Sequence, residues 1–93
     1  VNNWPKKYSC EINNKGAIGY SLMLNEDKTF KMNLVNGKWS DTGSYTYDGN
    51  NNWYFDYNNS IDLYATGNYE KFAQDTGLNS WGEQTYLTCI LIK

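Results

Sequence analysis

Along most of this chain, apolar and polar positions alternate with a period of two, the pattern of strands that bury one face. Tyr8, Cys10 and Ile12 alternate with Lys7, Ser9 and Glu11, and Asn13-Asn14-Lys15-Gly16 closes this first segment. Tyr20, Leu22 and Leu24 form the next apolar row. A polar turn follows at Asn25-Glu26-Asp27-Lys28, and Phe30, Met32 and Leu34 return with Lys31 and Asn33 outward. Asn36-Gly37 is the preferred pair for a two-residue type I′ hairpin. The strand beyond it runs from Lys38 to about Tyr47, where Gly43 predicts a bulge or kink. Asp48-Gly49 and the asparagines after it make another turn.

Trp53, Phe55 and Tyr57 share one face, and Ile61, Leu63 and Ala65 continue its parity beyond Asn58-Asn59-Ser60. That tripeptide is turn chemistry, so two strands are expected there. Asn68 reads as the N-cap of one or two helical turns, Tyr69 to Gln74, with Tyr69, Phe72 and Ala73 on one face and Gly77 as the stop. Thr85 to Ile92 is the strongest strand signal. It points Leu87, Cys89 and Leu91 inward and leaves Tyr86, Ile90 and Ile92 on the other face.

These elements predict an all-β fold, a meander of about seven antiparallel strands with one short helix before the last strand. A small closed or nearly closed barrel is favoured, with a two-sheet β-sandwich as the alternative. No linker, internal repeat or charge block divides residues 1–93, so one domain is expected.

The cysteine pair strengthens the barrel reading. Cys10 and Cys89 lie near opposite ends of the chain, and a shared metal site would need a histidine or further cysteines that the chain does not have. A disulfide between them closes a loop of about 80 residues, worth roughly 4 kcal/mol in the chain-entropy model. It would set the first and last strands side by side, and it implies a secreted, periplasmic or cell-surface location. A chain that opens on Val1 rather than Met reads as a mature or trimmed form, and it holds no apolar stretch of transmembrane length.

Composition narrows the function classes. The chain carries four tryptophans, nine tyrosines and three phenylalanines, but no histidine, and all eight cations are lysines. Without histidine, the commonest general base and metal ligand is missing and a Ser–His triad is impossible. With a net charge of −2 and no basic stripe, nucleic acid is not an expected partner. Asp41, Asp48, Asp56, Asp62, Glu70 and Glu83 show no spacing that sets two carboxylates across a cleft, and they read as solvated. Asp56, Asn58, Ser60 and Asp62 offer oxygens at alternate positions, a calcium-like spacing. Ile61 stands where such a loop needs glycine, and Gly67 where it needs the closing glutamate. Asn58-Asn59-Ser60 is also an N-glycosylation sequon. No cofactor and no catalytic residue are expected.

From Leu24 to Tyr57 the chain reads Leu-Asn-Glu-Asp-Lys-Thr-Phe, then Asn-Gly-Lys-Trp, Gly-Ser-Tyr-Thr-Tyr-Asp-Gly and Trp-Tyr-Phe-Asp-Tyr. This third of the chain resembles the repeating hairpins of small bacterial lipocalin-like (calycin-type) barrels. The Gly-x-Trp that opens such chains is absent, with Asn2-Asn3 standing before Trp4-Pro5. The resemblance implies a barrel that carries a small ligand or inhibits a secreted enzyme.

Aromatics remain the positive lead. Strand parity turns Tyr54, Tyr64 and Tyr86 outward, opposite to Phe55, Leu63 and Leu87, and Trp81 sits in a loop as an exposed anchor or a lid over one barrel end. Outward tyrosines also stabilise sheets simply as cross-strand pairs. The expected function is a secreted, non-enzymatic binding domain that recognises a protein partner, in the manner of an inhibitor. The alternatives are a structural subunit that self-assembles and a carbohydrate-binding module.

Overall fold

Alternation requires a sheet whose inward row is apolar. In the computed structural model, which describes residues 3–13 and 18–93, that sheet closes on itself. The strands are β1 (Lys6–Ile12), β2 (Ile18–Leu24), β3 (Thr29–Leu34), β4 (Ser40–Tyr47), β5 (Asn52–Tyr57), β6 (Leu63–Gly67), β7 (Lys71–Leu78) and β8 (Gln84–Leu91). Each pairs antiparallel with the next, and β8 returns to pair antiparallel with β1. The fold is therefore a closed meander barrel and not a sandwich. Residues 14–17, which hold most of the turn expected after Ile12, lie outside the described residues.

Inward parity follows the sequence pattern. Tyr8, Cys10 and Ile12 of β1, Leu22 and Leu24 of β2, and Phe30 and Met32 of β3 are buried. So are Trp53, Phe55 and Tyr57 of β5 and Leu87 and Cys89 of β8, while Tyr86 and Ile90 face solvent. Cys10 stands directly opposite Cys89 in the β1–β8 register, and the two form a disulfide. Both sulfurs sit in the core, so the covalent link reinforces the seam where the barrel closes.

Two expectations are corrected. The helix expected over Tyr69 to Gln74 does not form, and its residues belong to the β6–β7 turn and to β7. Asn68 does use its side chain as a cap would. Its Oδ1 accepts the backbone N–H groups of Glu70 and Lys71 at 2.9 and 3.1 Å. The same local bonds can open a helix or fold a tight hairpin turn, and tertiary pairing decides. Here Asn68 N donates back to the Lys71 carbonyl, and β7 fills the gap between β6 and β8 that a helix would leave open. Period two then governs, with Phe72 and Gln74 fully inside. This gives eight strands where about seven are expected.

The second correction is the bulge at Gly43, since the register runs through it unshifted. A side chain has no room here: a Cβ would fall 2.1 Å from the Asp56 carbonyl oxygen and 2.8 Å from the Phe30 ring. The bulge lies instead between Asp75 and Gly77 on β7.

Removing the seam disulfide with the double substitution Cys10→Ala/Cys89→Ala should lower the unfolding free energy by about 4 kcal/mol. Urea denaturation measures this, and a loss indistinguishable from zero would mean that strand pairing alone sets the stability of the closure.

Candidate functional site

The aromatic side chains are unevenly distributed along the barrel axis, and this makes its two ends different. At the end that carries the β2–β3, β4–β5 and β6–β7 turns, Trp53 stacks on Tyr47 and Phe72 with centroids 4.2 and 4.5 Å apart. Tyr69 meets Trp53 edge-on at 5.3 Å, Trp4 meets Tyr69 at 5.9 Å, and the Lys6 ammonium lies 5.0 Å over the Trp4 ring. Polar tips are bonded to backbone: Tyr8 OH donates to the Tyr69 carbonyl, Tyr45 OH to that of Asn25, and Trp53 Nε1–H to that of Gly67. Burial holds the Tyr8 and Tyr45 phenols above their usual range. This end is plugged.

The opposite end carries the β3–β4, β5–β6 and β7–β8 turns, and among the described residues it is open. Ile12, Met32, Leu63 and Leu87 bound a cavity of about 140 Å³ there, with Tyr57 and Thr76 supplying polar atoms. Around this mouth the large apolar side chains are exposed: Ile18, Val35, Trp39, Ile61, Leu78 and Trp81 all belong to this end. Ile61, expected to continue the inward row of Leu63 and Ala65, lies in the β5–β6 loop and is 77 % exposed. Exposed apolar side chains are thus gathered at one end of the barrel.

At this end the β7–β8 ladder is longer than the ladders on either side of it. The β1–β8 ladder stops at Ile12↔Leu87 and the β6–β7 ladder at Ala65↔Gln74, whereas β7 and β8 pair on to Leu78↔Gln84. β7 and β8 therefore pair with each other for three or four residues past the last pair that each makes with its outer neighbour. Thr85 anchors the base, fully buried, with its Oγ1 donating to the Gly77 carbonyl. At the tip, Asn79 Oδ1 accepts the N–H groups of Trp81 and Glu83, both at 2.9 Å, and Asn79 Nδ2 donates to Glu83 Oε1. Gly82 N donates to the Asn79 carbonyl, in a left-handed conformation that favours glycine. The tip is thus bonded internally, while Trp81 is 81 % and Leu78 66 % exposed.

The sequence-chosen residues do not form one site. Tyr54 and Tyr64 are paired across β5 and β6 with rings 5.0 Å apart, and Tyr54 OH donates to Asp62. That bond first, then desolvation and the nearby carboxylates, hold the Tyr54 phenol up at about 12. Tyr86 lies on β8 opposite Asp75, nearer the hairpin. Among the calcium-spaced residues, Asp56 and Asp62 lie close enough for Asp62 to raise the Asp56 pKa. Asn58 Nδ2 instead donates to Thr42 Oγ1, and Ser60 bonds to Asp41. Among the described residues, no group of three or more His, Cys, Asp or Glu is placed to hold a metal.

Two inward polar groups were missed by reading carboxylates and amides as surface. Asp41, expected to be solvated, is 3 % exposed. It accepts bonds from the N–H of Thr42, the N–H and side chain of Asn59, and Ser60, and so ties the β5–β6 loop to β4. Desolvation raises its pKa, but these bonds together outweigh it and hold the carboxyl below its ordinary value. Gln74 is the other. Its parity with Phe72 was the available signal, hidden by the expected helix, just as Asp41 shares parity with Tyr45.

No protein-family model, curated protein or solved structure matches this chain.

The lowered Asp41 pKa means that its contribution to stability is present above about 3.8 and is lost as pH falls through the folded value. Asp41→Asn should therefore cost about 1–3 kcal/mol at pH 7, where charged hydrogen bonds are lost. Urea denaturation from pH 7 down to 2.5 should show the gap to the wild type narrowing below about pH 3.8. A gap independent of pH would mean that the carboxylate charge is not what holds the loop.

Proposed function

We propose that this protein is a secreted, non-enzymatic binding domain that recognises a protein partner through the β7–β8 hairpin tip. The observation that carries this reading is Trp81. A nearly free indole sits on a tip whose own hydrogen bonds keep it in shape, with Leu78 beside it. Tryptophan is the residue type most enriched among interface anchors, and an ordered tip loses little entropy on docking. The Tyr54–Tyr64 pair fits the role less well, because its ring faces and one hydroxyl already have partners on the barrel wall.

The disulfide is compatible with an oxidising compartment, which supports a location outside the cytoplasm. The lipocalin-like resemblance supports binding over catalysis in the same way, and an inhibitor is the form of binding that an apolar-tipped hairpin suits best. Self-assembly by edge pairing is less well supported, because β1 and β8 pair with each other and close the sheet.

The test is affinity capture from the culture fluid of the source organism on immobilised wild-type, Trp81→Ala and Tyr64→Ala proteins. A protein retained by wild type and Tyr64→Ala, and bound at least ~30-fold more weakly by Trp81→Ala, is the expected result. Equal retention by all three, or retention by none, would overturn the assignment. Trp81→Ala should leave the unfolding free energy within about 0.5 kcal/mol of wild type, so lost binding would not reflect lost fold.

A further inference from the structure

Asparagine is among the thermally labile residues, and this chain carries fourteen. Its carboxamide carbon can be attacked by the backbone nitrogen of the next residue. That step is least hindered where the next residue is glycine, which has no Cβ in the way. Asn36 is the only asparagine followed by glycine. Asn59 and Asn79, each followed by serine, have the next smallest neighbours.

The fold restrains the two serine-followed residues and leaves Asn36 unrestrained. The Asn59 side-chain N–H donates to Asp41 at 3.1 Å. Asn79 is held through both ends of its carboxamide, by the N–H groups of Trp81 and Glu83 and by the Glu83 carboxylate. Asp48, which precedes Gly49 and can follow a related route, accepts three bonds from Asn50 and Asn52. Asn36 lies in the connection 35–39 between β3 and β4, where every residue is exposed. Its carboxamide has no hydrogen-bond partner among the described residues. The two-residue type I′ turn that Asn36-Gly37 favours is not formed, since neither residue takes the positive φ it requires. The connection is fastened at its ends instead, by Leu34 N–H to the Trp39 carbonyl at 2.9 Å and Val35 N–H to the Gly19 carbonyl at 3.1 Å. A side chain without partners, next to an unhindered nucleophile, can sample the near-attack geometry that a bonded one cannot.

We propose that Asn36 is a site of spontaneous covalent modification, deamidation through a cyclic imide formed with Gly37. Base removes the Gly37 amide proton, and the nitrogen bonds to Asn36 Cγ. The Cγ–Nδ2 bond breaks, and ammonia leaves with a proton taken from water. A second water then opens the imide at one of its two carbonyls, giving aspartate or isoaspartate. Either product adds one negative charge to the connection that carries the exposed Val35 and Trp39, at the open end of the barrel. The modification stands or falls without the protein-recognition reading.

The test ages the intact disulfide-bonded protein in mildly alkaline buffer, then reduces it, digests it with trypsin and maps the mass gains. Cleavage after Lys31 and Lys38 places Asn36 in the peptide 32–38. That peptide should become heavier at Asn36 and elute as two species of equal mass, aspartate and isoaspartate. Its conversion should run at least ~10-fold faster than that of Asn59 or Asn79, whose side chains are held away from attack. The same ageing in urea should raise the Asn59 and Asn79 rates. It should leave the Asn36 rate within about 3-fold of its folded value, because only the bonded side chains gain freedom on unfolding. Asn36→Gln should lack the fast conversion. An earlier mass gain at any other residue, no conversion at Asn36, a larger rise of its rate in urea, or fast conversion persisting in Asn36→Gln would each overturn the proposal.

Discussion

The pairing of β8 with β1 is the constraint on which the rest of the molecule depends. Seven short connections could build a meander that stays an open sheet, with two exposed edges and one unsatisfied face. Closing the ends turns that sheet into a container with a fixed interior, and the Cys10–Cys89 link holds the seam from inside. Once the seam exists, parity is no longer negotiable. Shifting any one strand by a residue would turn its buried row outward and break the ladder on both its sides.

A closed barrel of eight strands must be filled, and this chain is short of aliphatic residues. Aromatic rings supply the volume: Tyr8, Phe30, Tyr45, Trp53, Phe55 and Phe72 occupy the axis. Rings with polar tips impose a condition, since each buried hydroxyl or indole N–H needs an acceptor. Tyr8, Tyr45 and Trp53 find theirs in backbone carbonyls of Tyr69, Asn25 and Gly67, in turns at one end of the barrel. The aromatic fill therefore gathers at that end and plugs it. The buried polar side chains Asp41, Gln74 and Thr85 lie toward the other half, where the fill runs out and a cavity remains. The difference between the two ends follows from where the tyrosine hydroxyls could be bonded.

What was legible in the sequence was whatever alternation and turn chemistry decide locally. The rows Tyr8-Cys10-Ile12 and Trp53-Phe55-Tyr57 declare their faces without reference to the rest of the chain, and the outward turn of Tyr54, Tyr64 and Tyr86 follows from the same rule. The segment after Asn68 was not legible. Its side-chain bonds to Glu70 and Lys71 are shared by helix starts and tight turns, and only the need to fill the gap between β6 and β8 selects the strand. Asp41 and Gln74 were hidden for a related reason. A polar residue at an inward position reads as surface until its partners, 18 and 17 residues away, are known. The run of β7–β8 pairing past the outer ladders was equally invisible, because it depends on where the ladders on either side stop.

That last property separates Trp81 from the other exposed aromatics. Tyr64 is nearly as exposed, at 71 %, but its ring already packs against that of Tyr54 on the barrel wall. Trp81, 81 % exposed on a hairpin tip, offers more of its area for a partner to remove from water. Enclosure increases the apolar burial on which affinity depends, at about 25 cal/mol per Å². The Asn79 bonds reduce the opposing cost, because the turn is ordered before contact. Position and order both derive from the hairpin running on past its neighbours, which the closed seam allows at no loss of pairing elsewhere.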